Sequence, residues 1–169
     1  MSFRRVISAA EKAEGEVAEL TSRLVQYNSS HPEGRTDGCV CYIKSYLDDH
    51  GIENEIHAKT QTKPNIVAKI PGASGRRILW VGHLDVVPEG KPEYWRNPPY
   101  SGKITEDGRV HGRGSSDMKG ACAAAMVSAR ILSELKRPVA NNVEFWFTAD
   151  EEIGGGVGGE PEQIGRAHV

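Results

Sequence analysis

The sequence predicts an α/β domain, a three-layer α/β/α arrangement around a mostly parallel central sheet. Three observations predict it. Two continuous apolar runs, 78–81 (ILWV) and 145–147 (FWF), read as strands covered on both faces. Between them, 118–135 (MKGACAAAMVSARILSEL) reads as a long helix whose small side chains permit close packing on a sheet. Upstream, helical and strand periodicities alternate.

Taken in chain order, 16–27 (EVAELTSRLVQY) places Val17, Leu20, Leu24 and Val25 on one helical stripe. Segment 28–38 (NSSHPEGRTDG) breaks that pattern with Pro and Gly. Helical spacing resumes through Val40, Ile43 and Leu47, and Gly51 is a natural helix C-cap. Segment 51–58 (GIENEIHA) alternates like a partly exposed strand, and 65–70 (NIVAKI) reads as another strand. There is no internal repeat or low-complexity linker.

The bulk numbers exclude several function classes. At 169 residues the chain has room for one ordinary domain. The net charge is −2, with Lys and Arg spread along the chain, so neither nucleic acid nor an anionic membrane is expected as a partner. The apolar stretch near the N-terminus is too short for a secretory leader, and no run approaches a membrane span. Cys39, Cys41 and Cys122 are an odd count without a CxxC pair, which fits free thiols in a reducing compartment and a cytoplasmic location.

Polar groups follow both apolar runs. His83, Asp85, Glu151 and Glu152 fall just past the carboxyl ends of the expected central strands, where open α/β sheets place ligands. His83 and Asp85 form an H-x-D, in which the Asp can accept the far ring N–H and orient the His as a metal ligand. A buried, hydrogen-bonded histidine is the plainer alternative. Glu151 and Glu152 are either a solvated pair or two like charges that need a cation or a proton between them. Asp117, in "HGRGSSDMKG", can bridge two cations about 3.5–4 Å apart, as in two-metal hydrolases. His, Asp and Glu ligands suit zinc, with cobalt or manganese as replacements. The run "GGGVGG" at 154–159 is a formal nucleotide motif, but Glu160 and Pro161 follow where a helix should open. A flexible loop is the better expectation.

With those residues in place, the chain resembles a family of co-catalytic zinc hydrolases. It includes acetylornithine deacetylase, succinyl-diaminopimelate desuccinylase, aminoacylase and the glutamate carboxypeptidases. The matching words are "PNIVAKIPG", "GHLDVVPEG", a Trp followed by "PPYSGKI", "DGRVHGRGSSDMKG" and "DEEIGG", spanning roughly Leu20 to Gly156. Tyr100 stands where many members carry Phe. The resemblance implies two divalent cations, with His83 on one, Glu152 on the other and Asp117 bridging both. It makes Glu151 the general acid/base and Asp85 the group that orients His83, and it implies a cis peptide after Asp117. It further implies hydrolysis of an amide in an N-acyl amino acid or small peptide, and a homodimeric full-length parent.

Two family ligands have no clear match. The family's distal carboxylate lies a few tens of residues past the Glu pair, often in "GEP", whereas Glu160 follows Glu152 by eight residues. The family's last histidine lies far downstream, and His168 is a poor match. The closing "IGRAHV" is what a common sequencing-library adapter encodes in one frame. The expectation is therefore that 1–162 is the N-terminal part of a catalytic domain and 163–169 a read-through tail. The lid and dimerisation domain is then absent, and the chain alone is inactive. The alternative expectation is a shortened, non-catalytic relative acting as a binding module.

Overall fold

The computed structural model describes residues 3–135 and 138–155. Helices α1 (Phe3–Lys12), α2 (Glu14–Gln26) and α3 (Asp37–Asp49) lead into strands β1 (Glu53–His57), β2 (Asn65–Ile70) and β3 (Arg77–His83). A two-stranded arm follows, β4 (Lys103–Ile104) with β5 (Val110–His111), and then α4 (Gly120–Ser133) and β6 (Asn142–Thr148). Among the described residues, no helix is long and apolar enough to cross a membrane.

The helices form where the periodicity places them. Leu20, Leu24 and Val25 of α2 are buried, as are Val40, Ile43 and Leu47 of α3. The N–H of Gly51 donates to Asp48 O at 3.0 Å and that of Ile52 to Leu47 O at 2.9 Å. This paired closure satisfies two orphan carbonyls and ends α3 at the expected glycine. Helix α1 has no counterpart among the expected elements. Among its described side chains, Val6 and Ala9 lean on the core while Ile7 stays exposed.

The main sheet has the order β1-β2-β6-β3. The α/β class stands, but the pairing corrects the expectation of a mostly parallel sheet. Only β3 and β6 run parallel; β1–β2 and β2–β6 are antiparallel. The physical reason is the 58–64 connection, which is too short to hold a crossover helix and so returns β2 against β1.

Alternate residues of a strand share a face. Ile66, Ala68 and Ile70 of β2 and Phe145 and Phe147 of β6 join the buried residues of α2, α3 and α4 in one core. The other face carries Glu55, Lys69, Arg77, Glu144 and Trp146, tied by the Lys69–Glu55 pair at 2.5 Å and Arg77–Glu144 at 3.5 Å. Helices of the described chain thus cover one face of the sheet, and a third layer is not present among the described residues. Strand β3 lies at the sheet edge with Ile78 and Val81 exposed, so the 78–81 run is not covered on both sides here. Glu160, His168, residues 163–169 and most of the 154–159 glycine run lie outside the described residues.

One carboxylate ties three helices together. Glu16 of α2 accepts from Arg130 Nη2 of α4 at 2.8 Å and Nε at 3.1 Å, and from Tyr46 Oη of α3 at 2.7 Å. Burial pushes the Glu16 carboxyl up, but the hydrogen bonds from Tyr46 and Arg130 outweigh it and hold it below the ordinary value of 4.5. A carboxyl held low in the folded chain adds stability above its unfolded pKa and loses it as pH falls. Urea midpoints measured from about pH 6 down to about pH 3 should therefore drop more steeply for the wild type than for Glu16→Gln. Parallel slopes would remove Glu16 from the acid limb.

Candidate active site

The parallel register sets His83 opposite Thr148, so β3 and β6 deliver their carboxyl ends side by side. Just beyond them, Leu84 N–H donates to Thr148 O at 2.8 Å, carrying the pairing one residue past the strand. A third segment, 28–31, joins from the end of α2. Ser30 bridges Val86 in parallel, and Ser29 Oγ donates to Leu84 O at 2.6 Å. Two segments, the end of β6 and 28–31, therefore hold 84–86 before any site side chain is placed.

His83 is nearly buried, and its Nδ1 donates to the main-chain oxygen of Asp85 at 3.0 Å. A carbonyl only accepts, so Nδ1 carries a proton, and in the neutral ring Nε2 is left with its lone pair. That nitrogen lies 3.2 Å from Asp117 Oδ1 and 3.8 Å from Glu151 Oε2. Ligand atoms of His83, Glu151 and Glu152 all fall within 4.8 Å of one another.

Asp85 differs from its expected part. Its carboxylate stands 3.7 Å from His83 Nδ1, and the imidazole is satisfied by the main-chain oxygen instead. The carboxylate is fully buried and turned toward the Glu turn, where it accepts Glu151 N–H at 3.2 Å and Glu152 N–H at 3.0 Å. Strand β3 ends at His83, so the alternation that would aim both side chains one way has already stopped.

The turn that bears Glu151 and Glu152 is fixed from below as well. Ala149 N–H donates to Asn65 Oδ1 at 2.8 Å, inside the buried root of β2. Asp150 takes the left-handed conformation, φ 69°, and lies fully buried with Lys63 Nζ 2.9 Å from its Oδ1. That nitrogen is out of line for a hydrogen bond, so the contact is an ion pair rather than a directed bond. Glu151 is left 63% exposed, with its carboxylate free to meet solvent.

Asp117 comes from the irregular turn Ser115–Lys119 ahead of α4 and is 78% exposed. The Asp117–Met118 peptide is cis, as the resemblance implies. Gly114 opens the turn at φ 84°, and a Cβ there would sit 2.6 Å from Val86 Cγ1, so only glycine lets this loop lie against the 84–86 segment. Behind the turn, Lys119 is wholly buried and donates from Nζ to Tyr27 O at 2.7 Å. Burial pushes its ammonium below the usual lysine range, against the pull of Cys39, Cys122 and Asp85. Cys122, also buried, donates from Sγ to His83 O at 3.3 Å, and its thiol is pushed up by desolvation.

The donor set fits divalent metal. A ligand edge of about 3.3 Å follows from tetrahedral bonds of about 2.0 Å, and the His83 to Asp117 separation of 3.2 Å matches it. Nitrogen and carboxylate donors around an exposed acidic edge are the chemistry zinc takes. Of the residues the sequence proposes, the structure gathers His83, Glu151 and Glu152 and sets Asp117 beside His83. Sequence reasoning missed His31, Lys63 and Lys119, whose roles depend on contacts between distant segments.

Comparison with known proteins gives the family of the chain. The model of Peptidase family M20/M25/M40 matches residues 79–167. The chain belongs to that family. Succinyl-diaminopimelate desuccinylase of Hydrogenovibrio crunogenus is 35% identical over 137 residues, covering 81% of this chain and 35% of that protein. The enzyme of the same name from Xanthobacter autotrophicus is 44% identical over 89 residues, 53% of this chain and 22% of the other. Among solved structures, an M20 family metallo-carboxypeptidase from Sulfolobus solfataricus superposes with a TM-score of 0.68 at 26% identity, covering 82% of this chain and 32% of its own. Human carnosine dipeptidase 1 has the same fold, with a TM-score of 0.71 at 20% identity over 95% of this chain and 36% of its own. The chain matches about a third of the length of the first of these curated relatives and about a fifth of the second.

The root of the Glu turn gives a direct test. Asn65→Ala leaves the buried Ala149 N–H without an acceptor and should cost about 1–3 kcal/mol in urea denaturation. Asn65→Asp restores an acceptor and should recover most of that loss. Equal stability of both variants with wild type would exclude Asn65 as the anchor.

Proposed function

We propose that this chain carries the metal-holding front of an amide hydrolase acting on an N-acyl amino acid or a small peptide. The observation that supports the reading most directly is the meeting of His83 Nε2, Asp117 Oδ1 and the Glu151 and Glu152 carboxylates at the ends of two parallel strands. The desuccinylase and the metallo-carboxypeptidase named above both point to cleavage of an amide.

His83, Asp117 and Glu152 would hold a pair of divalent cations, with zinc first and cobalt or manganese as replacements. When bound, such cations polarise the amide carbonyl and make water more acidic. The chain's own part is orientation and proton movement. His83 is presented by its Nδ1 bond to Asp85 O, which leaves Nε2 as the donor. Asp117 offers one oxygen beside His83 and a second oxygen for another partner. Glu151, close to His83 and with its side chain exposed, takes the proton from the attacking water. It then passes that proton to the departing amine nitrogen, so water and amide become acid and amine. Asp85 acts on this pair through the main chain, by fixing the two amides of residues 151 and 152.

The exchange of a single atom separates holding metal from moving protons. In the full-length protein, Glu151→Gln should keep metal content by elemental analysis and lose about 10²–10⁴-fold in turnover of an N-succinyl amino acid. His83→Ala should lose metal as well. Loss of metal from Glu151→Gln, or full turnover without Glu151, would overturn the division of roles.

A further inference from the structure

His31 was no part of the expected site, yet it reaches the same carboxylate that holds the Glu turn. Its Nε2 lies 2.9 Å from Asp85 Oδ2, inside the protein. A carboxylate only accepts, so Nε2 donates. Asp85 therefore meets three donors. Oδ1 takes Glu151 N–H, and Oδ2 is shared between Glu152 N–H and the imidazole.

The imidazole is itself held in place. The His31 N–H donates to Val86 O at 3.2 Å, which fixes its main chain beside the segment that carries Asp85. Gly34, at φ 54°, packs against the ring, and a Cβ there would be 2.4 Å from His31 Cε1. The N–H of Gly34 donates back to Ser30 O at 2.8 Å, closing the turn around the histidine.

We propose that His31 is a positioning residue for the Glu151–Glu152 pair, acting through the Asp85 carboxylate. Asp85 has two side-chain torsions, and the bonds to residues 151 and 152 come from main chain that belongs to a short turn rather than to a long element. A third, rigidly seated donor on Oδ2 selects the one carboxylate orientation that meets both amides. Without it, Oδ2 keeps a single donor at a site closed to solvent, where no water replaces the missing bond. The carboxylate then turns to satisfy itself, and the two glutamates lose the common origin from which their side chains project. The inference rests on the proposed roles of these glutamates only for its purpose. The chain of contacts can be tested without metal, substrate or turnover.

The test is amide hydrogen exchange by NMR on the 169-residue chain, read at Glu151 and Glu152 and compared with Phe145 and Phe147 in the core. His31→Asn is too short to reach Asp85 Oδ2, whereas the side-chain amide of His31→Gln reaches it and donates. In His31→Asn, exchange at residues 151 and 152 should rise about three- to tenfold, the loss expected for one hydrogen bond, with the core amides unchanged. His31→Gln should keep the wild-type protection. His31→Phe, which fills the space without a donor, should behave as His31→Asn. Equal protection in the Asn and Gln variants would overturn the proposal, as would a rise spread evenly over core and turn. Unprotected 151 and 152 amides in the wild type would overturn it as well. A Glu151→Gln enzyme that still turned over would defeat the catalytic assignment and leave this result standing.

Discussion

The parallel pairing of β3 with β6 is the constraint on which the site depends. Side-by-side parallel strands end at the same edge of the sheet, so His83 and the residues after Thr148 arrive together. An antiparallel pairing of the same two strands would carry them to opposite edges. Parallel neighbours need a long crossover, and here that crossover contains α4 and the loop that carries Asp117. The connection that topology requires thus also brings the third acidic ligand candidate to the edge.

Around that edge, main-chain groups do most of the holding. Asp85 O fixes the His83 ring, the Asp85 carboxylate fixes two main-chain amides, and Asn65 fixes a third. Buried donors and acceptors are costly to leave unmade, so each of these contacts resists loss more strongly than an exposed ion pair. Asp117 and Glu151 are left exposed and Glu152 half-buried, while the groups that aim them are buried. Lys119 extends the same pattern. Its buried ammonium meets the carbonyl at the end of α2, where a cation also complements the helix dipole.

Much of this was legible in the sequence. Helices α2, α3 and α4 follow from their apolar spacing, and Gly51 marks the end of α3 as its position suggested. His83, Glu151 and Glu152 were candidates because polar groups directly after apolar runs fall at a sheet edge, and Asp117 because it lies in a glycine- and serine-rich turn just before a helix. The sheet's mixed pairing could not be read, because strand direction is set by partners distant in sequence and leaves no mark on local periodicity. Asp85 meets His83 through its main-chain oxygen, with its carboxylate 3.7 Å away, a division the H-x-D spacing does not show. An H-x-D seen as extended chain aims both side chains alike, but the strand stops at His83. His31 sits in "NSSHPEGRTDG", which carries the composition of an ordinary turn and conceals a contact with a residue 54 positions away.

The distances along the chain between these partners carry a further meaning. Asp85 meets Glu152 across 67 residues, and Lys119 meets Tyr27 across 92. Contacts of such span require large loops to close before they return any stabilisation, which slows their formation. Each helix is local in sequence, whereas the edge that gathers His31, His83, Asp85 and the Glu turn joins segments far apart in the chain. The geometry of the chemistry-bearing edge therefore exists only once nearly the whole described chain has found its place.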